Sequence, residues 1–386
     1  MSFLVIYLPK FPRTTNHGNL EIFIAIFLIA LITLSHQKFK RGELNAGMIN
    51  WTFRVTLVSI YFVAGFHKLN SGFLSLENSC VVTVPNHLHS LIFGTESHNW
   101  IFIRLQQLVT ITVEMIVPLG LLFYRTRKFS AWVLVLFHFY LSLCDFSNFS
   151  ALAGFLIIGS LLDYTARIPK HLQLAFRIYV LLSIAAVVMS YGLSRFSLAA
   201  SVNIRFYNGI IFNVGWCYLF YCVLTNYNIR KQTETLYYCP LLIASLCVFL
   251  WGGQAYLGLT NAGNLTMFSN LMTVKSKSNH LLINTDYTKI WGFEEDTVFI
   301  KKLPEGFKWE NSMRLEGYSL PRIEFAVQIQ NWMDQSITSI PCTLVYKEKT
   351  FVIDDLRKSK FAHTKFWYPL IHFRRIPKSE NMPCFW

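Results

Sequence analysis

Residues 101–124 read IFIRLQQLVTITVEMIVPLGLLFY. The run exceeds the roughly 17 mainly apolar residues that a helix needs to cross a hydrocarbon core about 30 Å thick. It also carries a carboxylate, Glu114, near its middle. Seven further runs of similar character lie at 19–35, 49–66, 129–144, 149–164, 174–193, 206–224 and 237–259. Read together, they predict an all-α polytopic membrane protein of about eight transmembrane helices. The fourth and fifth runs are short and joined by Asp145-Phe146-Ser147-Asn148, which reads as the polar turn of a helical hairpin.

The composition points the same way. Of 386 residues, 53% are apolar and only 15% charged, against about 25% charged in an ordinary soluble domain. This speaks against a soluble enzyme, a disordered chain and a collagen-like fibre. The charge is unevenly spread: residues 1–280 hold 20 Lys/Arg and 8 Asp/Glu, a net of +12, and residues 281–386 hold 15 and 13, a net of +2. Cations flanking apolar spans explain the excess better than nucleic-acid binding does. Lys38, Lys40 and Arg41, then Arg125, Arg127 and Lys128, then Arg167 and Lys170, then Arg230 and Lys231 share one side, which should face the cytoplasm. Both termini then lie outside, in a multi-pass protein of the plasma or inner membrane whose lipids are its first partners. Pro9 and Pro12 ahead of the first run, and the basic cluster after it, argue against a cleaved signal peptide.

Three regions follow: an N-terminal segment 1–18, a transmembrane domain 19–284, and a C-terminal extracytoplasmic domain 285–386 of α+β or β-rich type. Within the last, 340–346 and 350–353 flank Lys347-Glu348-Lys349 and read as a β-hairpin. Residues 320–333 alternate like a strand at Ile323, Phe325, Val327 and Ile329, yet Ile323, Val327 and Trp332 also suit a helix; the reading leans to helix. Of eight cysteines, Cys80, Cys342 and Cys384 fall on the outer side, and any two of them form a disulfide if that compartment is oxidising. No Cys-x-x-Cys or His-x-x-x-His pair offers a zinc spacing, so no metal is expected.

Ionisable groups inside hydrocarbon are costly and call for a partner, a wet cavity or a function. Glu114 sits mid-run with Gln106 and Gln107 nearby, His138 lies near the middle of the fourth run, and His67-Lys68 ends the second with Asn70 just beyond. The hairpin turn brings Asp145 and Asn148 to the same level. A cluster of these residues around one cavity is the expectation. Taken singly each has a plainer reading: a lysine at a helix end snorkels, a buried carboxylate packs against another helix, and an interior histidine is simply satisfied.

The stretch Tyr61-Phe62-Val63-Ala64-Gly65-Phe66-His67-Lys68-Leu69-Asn70 resembles the vitamin K-dependent γ-glutamyl carboxylases and the wider HTTM (horizontally transferred transmembrane) family, which show Tyr-Phe-x-Ala-Gly-x-x-Lys-Leu at the outer end of a membrane helix. Phe137-His138, then Phe146-Ser147 or Phe149-Ser150, then Gly154-Phe155 resemble a later succession in that family. So does Met267-Phe268-Ser269-Asn270-Leu271 with Asn279-His280. The resemblance implies a catalytic base at Lys68, which deprotonates reduced vitamin K or another quinol; His67, where the carboxylases often have another lysine, and His138 are the further catalytic candidates. Asn70, Asp145, Asn148 and Glu114 are the polar residues expected to bind the cofactor. A lysine acts as a base only when burial without a close carboxylate disfavours its ammonium form. The tail of about a hundred residues departs from the carboxylases, whose large extracytoplasmic region grips a substrate propeptide.

Three readings follow. The first is a quinol-dependent modifying enzyme, a carboxylase-like lyase or ligase acting on a secreted peptide or small molecule at the outer face. The second is a non-catalytic scaffold or maturation factor for a secreted peptide or protein. The third, ranked last, is a transporter coupled through Glu114, which paired interrupted helices or an internal repeat would favour.

Overall fold

The computed structural model of the chain describes residues 8, 11, 13, 16–34, 46–83, 85, 99–144, 147–161, 170–194, 215, 217–218, 220–221, 238–266, 268–304, 307, 315–335, 339–378 and 384. Among these residues seven helices come first: α1 (Asn16–Leu34), α2 (Ala46–His67), α3 (Trp100–Met115), α4 (Tyr124–Leu143), α5 (Ser147–Leu161), α6 (Lys170–Ser194) and α7 (Tyr238–Leu257). A 3-10 stretch, Val117–Leu121, extends α3, with Pro118 near its start. The α-helix stops there because a proline nitrogen has no hydrogen to donate to the preceding turn.

Helix α2 is the hub. It packs against α3, α5 and α7, while α4 packs on α5. Its faces are therefore spent on other helices, and polar side chains along it find partners inside the protein. Asn50 donates to the Gly159 carbonyl at 3.2 Å, Arg54 to the Ser160 carbonyl at 2.9 Å, and Ser59 meets Ser245 at 3.2 Å. Leu57, Ile60, Tyr61, Val63, Leu134, Leu156 and Trp251 belong to the apolar core around it.

The expectation of about eight transmembrane helices in a multi-pass protein is overturned. Among the described residues one helix, Trp100–Leu121, is long and apolar enough to cross a membrane. The other apolar helical stretches are shorter: Gly18–Phe27, Leu152–Leu161, Gln173–Leu182 and Leu242–Leu257. The physical reasons are local. Helix α2 carries Arg54 and a row of polar side chains, α4 opens on Arg125, Arg127 and Lys128, and α5 has 15 residues where about 20 are needed. The predicted span over 206–224 falls mostly outside the described residues. With the spans goes the multi-pass plasma- or inner-membrane location, and the extracytoplasmic placing of the tail that was inferred from it.

The C-terminal part follows a short helix, α8 (Thr285–Thr288), and forms a five-stranded antiparallel sheet. Its strands are β1 (Thr297–Lys302), β2 (Tyr318–Pro321), β3 (Cys342–Tyr346), β4 (Lys349–Ile353) and β5 (Ile376–Pro377), in the order β4-β3-β1-β2-β5. The hairpin read from the sequence is present as β3 and β4, paired from Cys342 opposite Ile353 to Tyr346 opposite Lys349. Its two-residue turn, Lys347-Glu348, has both residues at positive φ, 48° and 64°, as the turn that matches strand twist requires.

Helix α9 (Arg322–Gln335) occupies the ambiguous stretch. It is sandwiched: Phe325, Ile329 and Trp332 enter the sheet core with Val298, Ile300 and Leu344, while Ile323 and Val327 pack on Tyr368 and Phe373. Burial on two sides puts apolar residues at nearly alternate positions. That is why a strand-like period appeared on a helix.

The sheet region is fastened to the helices by buried polar contacts. Arg13 reaches Glu324 at 2.9 Å, Asn261 accepts from the Arg374 backbone at 2.7 Å and also donates to Glu294, and Thr260 donates to the His372 carbonyl. Cys80 and Cys384 form a disulfide across 304 positions of sequence. It is one of the three pairings the sequence left open; Cys342 is free and buried.

Candidate functional site

The Ala64-Gly65 pair lets α2 and α3 approach closely. A Cβ at Gly65 would stand 2.6 Å from Met115 Cγ and 3.1 Å from Glu114 Cβ, so only glycine fits without a shift. One turn further, where α2 ends, Lys68 projects toward α3. Its Nζ lies 2.7 Å from Glu114 Oε2, with the two side chains 5% and 10% exposed. The ammonium also approaches the Ala64 carbonyl at 3.4 Å. Glu114 Oε2 has no other polar partner among the described residues.

This pair lies in the wall of a cavity of about 310 Å³. The rest of the wall is almost wholly apolar, and helical spacing supplies it. Phe102, Leu105, Gln106, Val109, Thr110 and Glu114 form one face of α3, and Phe137, Tyr140 and Leu141 one face of α4. Phe73, Cys80, Val81 and Phe268 complete it from the connecting segments. Gln106 donates to Tyr140 Oη at 3.3 Å, and the Tyr140 hydroxyl also meets the Cys144 thiol. Among the described residues, Lys68 and Glu114 are the only charged side chains in the wall.

The loop after α2 is held by a polar lattice that shapes the wall. Asn70 donates to the His67 carbonyl at 2.7 Å and the Ser269 carbonyl at 2.5 Å, and its oxygen accepts from the Phe73 backbone at 2.8 Å. Gln107 and Ser79 both donate to the Phe73 carbonyl, at 2.9 and 2.6 Å. Asn270 accepts from the Cys80 backbone at 2.9 Å. Phe73 and Cys80 are thus fixed in place by side chains that do not themselves line the cavity.

The residues expected to cluster separate into groups. Lys68 and Glu114 meet. The expectation of a lysine with no close carboxylate is overturned: close helix packing at Gly65 brings Glu114 against it. His67 turns away, its Nδ1 3.1 Å from the Leu265 carbonyl and its ring against Tyr256. Nε2 of His67 has no hydrogen-bonding partner among the described residues. His138 is buried behind the wall, bonded to the Tyr61 hydroxyl and 3.3 Å from Ser150 Oγ, so it ties α2, α4 and α5 together. Asn70 is spent on the backbone. Asn148 lies in the first turn of α5, and Asp145 lies outside the described residues. Tyr140, Cys80 and Phe268 were missed. Tyr140 was legible as the next helical position after Phe137, whereas Cys80 and Phe268 reach the cavity only through long-range folding.

In the first turn of α9, burial alone would raise the Glu324 carboxyl, but Arg13, His372 and Gln328 outweigh it and hold the group down at about 2. Glu294 behaves oppositely. Burial raises its carboxyl, and Lys289 at 2.9 Å and Thr273 only partly oppose this. These two carboxylates belong to the seam between helices and sheet, not to the cavity.

No family model, no curated protein and no solved structure matches the chain.

Proposed function

We propose that the chain is a quinol-dependent enzyme whose Lys68–Glu114 pair exchanges a proton with a lipid-soluble quinol, reduced vitamin K or a relative, held in the cavity. The observation that carries this reading is a buried ion pair in an otherwise apolar wall. A volume of about 310 Å³ sits at the lower end of small-molecule sites, roughly 300–1,000 Å³. That suits a ring system, with a longer tail leaving past Phe102, Leu105 and Val109, which are themselves exposed. The sequence pattern at Tyr61–Asn70 is the reason for preferring a quinol among aromatic ligands.

The residues fit such a group. Phe73, Phe102 and Phe137 offer faces and edges for ring packing, and Gln106 and Tyr140 offer neutral polar atoms for a ring oxygen. A bound quinol supplies a pair of electrons and an acidic hydroxyl. Glu114 would accept the hydroxyl proton of such a group, and the Lys68 ammonium would face the oxygen on which negative charge develops, within an apolar wall that strengthens charge interactions. The pair is neutral overall whether the shared proton sits on nitrogen or oxygen, so it costs less to bury than either ion alone. The lysine's role thereby shifts from lone base to partner of the base.

The test is turnover of purified protein with reduced vitamin K, oxygen and labelled bicarbonate. Quinone epoxide or fixed label should form, and Lys68→Ala should abolish it with the fold intact. Undiminished turnover in Lys68→Ala would remove the pair from the chemistry.

A further inference from the structure

The disulfide ends in two different environments. Cys80 is 1% exposed and lines the cavity together with Lys68 and Glu114. Cys384, near the C-terminus, is only half-buried. Cys80 thus borders the cavity, and Cys384 is the less buried end of the bond. Asn270 and Ser79 hold the backbone of the segment carrying Cys80, so Cys80 keeps its place beside the cavity when the bond opens.

We infer that Cys80 and Cys384 form a redox-active pair that exchanges electrons with a quinone in this cavity; the inference rests on the cavity being a quinone or quinol site. In the forward direction both S–H bonds break and the Cys80–Cys384 S–S bond forms. The two electrons pass to the quinone ring, and the two protons end on its two oxygens. The sulfurs are oxidised, the ring is reduced, and nothing else is consumed. Reduction of the disulfide by an external dithiol, attacking at Cys384, returns the pair to its starting state. Lys68 and Glu114, the charged groups of the wall, give the arriving protons a route to the ring oxygens. The activity is that of a dithiol:quinone oxidoreductase, and it would supply the reduced ring that the proposed reaction consumes.

The test uses the full chain, reduced with dithiothreitol, desalted without oxygen and mixed with one equivalent of 2,3-dimethyl-1,4-naphthoquinone. This ring has no open carbon beside its carbonyls for a thiol to arylate. Remaining thiols are alkylated, the Cys80–Cys384-linked peptide is quantified by mass spectrometry, and loss of quinone absorbance is followed in parallel. The linked peptide should form at least about tenfold faster than without quinone, with one quinone lost per link. Cys384→Ser should consume none. Binding of the same quinone to the oxidised chain is measured separately. Binding without faster disulfide formation overturns the redox pair and leaves the cavity reading standing, whereas absence of binding overturns both.

Discussion

Lys68 Nζ and Glu114 Oε2 stand 2.7 Å apart between two helices that touch at a glycine, and among the described residues neither group has another charged neighbour in the cavity wall. Removing one partner leaves the other charge buried and alone, which typically costs about 3–5 kcal/mol. Lys68→Met and Glu114→Gln should each destabilise the fold, the lysine change more, because a glutamine oxygen still accepts from the Lys68 ammonium whereas methionine offers the Glu114 carboxylate no donor. The double change Lys68→Met with Glu114→Leu should recover most of the loss. Denaturant unfolding of the three variants checks this, and a double variant no more stable than Lys68→Met alone would argue against a coupled pair.

Gly65 sets the distance at which that pair forms. A methyl at this position meets Met115 Cγ at 2.6 Å, and overpacking of this kind costs about 1–3 kcal/mol. Gly65→Ala should lower the unfolding midpoint and weaken quinone binding as Lys68 and Glu114 move apart. An unchanged midpoint with unchanged binding would show that the helices do not depend on the close approach.

How much of this was legible in sequence depends on the range of the interaction. The helices and the β3–β4 hairpin follow local patterns, and those patterns are in the chain. That Glu114 would close on Lys68 was not legible, because it depends on which faces of α2 and α3 meet. Apolar periodicity also failed to tell a helix buried among helices from one facing lipid. Helix α2 shows this best, with Asn50, Arg54 and Ser59 all bonded internally. Asn70 was read as a ligand for a cofactor because it is polar and near the lysine, but its bonds go to backbone atoms on both sides of a loop.

Asn70 therefore acts on stability. Asn70→Ala leaves the Phe73 amide and two carbonyls without their partner in the interior, at about 1–3 kcal/mol for each unsatisfied group. It should destabilise the fold and loosen Phe73, read as faster amide exchange over residues 70–80. Retained protection there would contradict the role assigned to it.

The seam with the sheet should be acid-sensitive. Glu324 titrates at about 2 in the folded chain against 4.5 as the ordinary value. A depressed carboxyl contributes stability that is complete above 4.5 and is lost as pH falls toward 2, by about 1.4 kcal/mol for each pH unit crossed. Glu294, held above its ordinary value, acts in the opposite sense, contributing below 4.5 and losing that contribution as pH rises through its folded value. Glu324→Gln should lower stability at neutral pH and flatten the decline between pH 4.5 and 2. An equally steep decline in that variant would assign the acid sensitivity elsewhere.

Gly258 closes α7 at φ +74°, with the Leu259 amide bonded back to the Gln254 carbonyl at 3.2 Å, the hydrogen bond of a Schellman cap. A Cβ there would stand 2.2 Å from the Trp291 carbonyl oxygen. Gly258→Ala should destabilise the chain by more than the roughly 1 kcal/mol expected of backbone conformation alone. A thermal midpoint within error of the parent's would show that the segment before the sheet can move aside.

The most direct measurement is photoaffinity labelling of the purified chain with an azido-naphthoquinone, followed by peptide mapping. Label should fall on residues 102–110 and 137–141, be displaced by unlabelled reduced vitamin K, and be lost in Lys68→Met with the fold retained. Label scattered over the exposed helices, or undiminished in Lys68→Met, would contradict a quinol site at the Lys68–Glu114 pair.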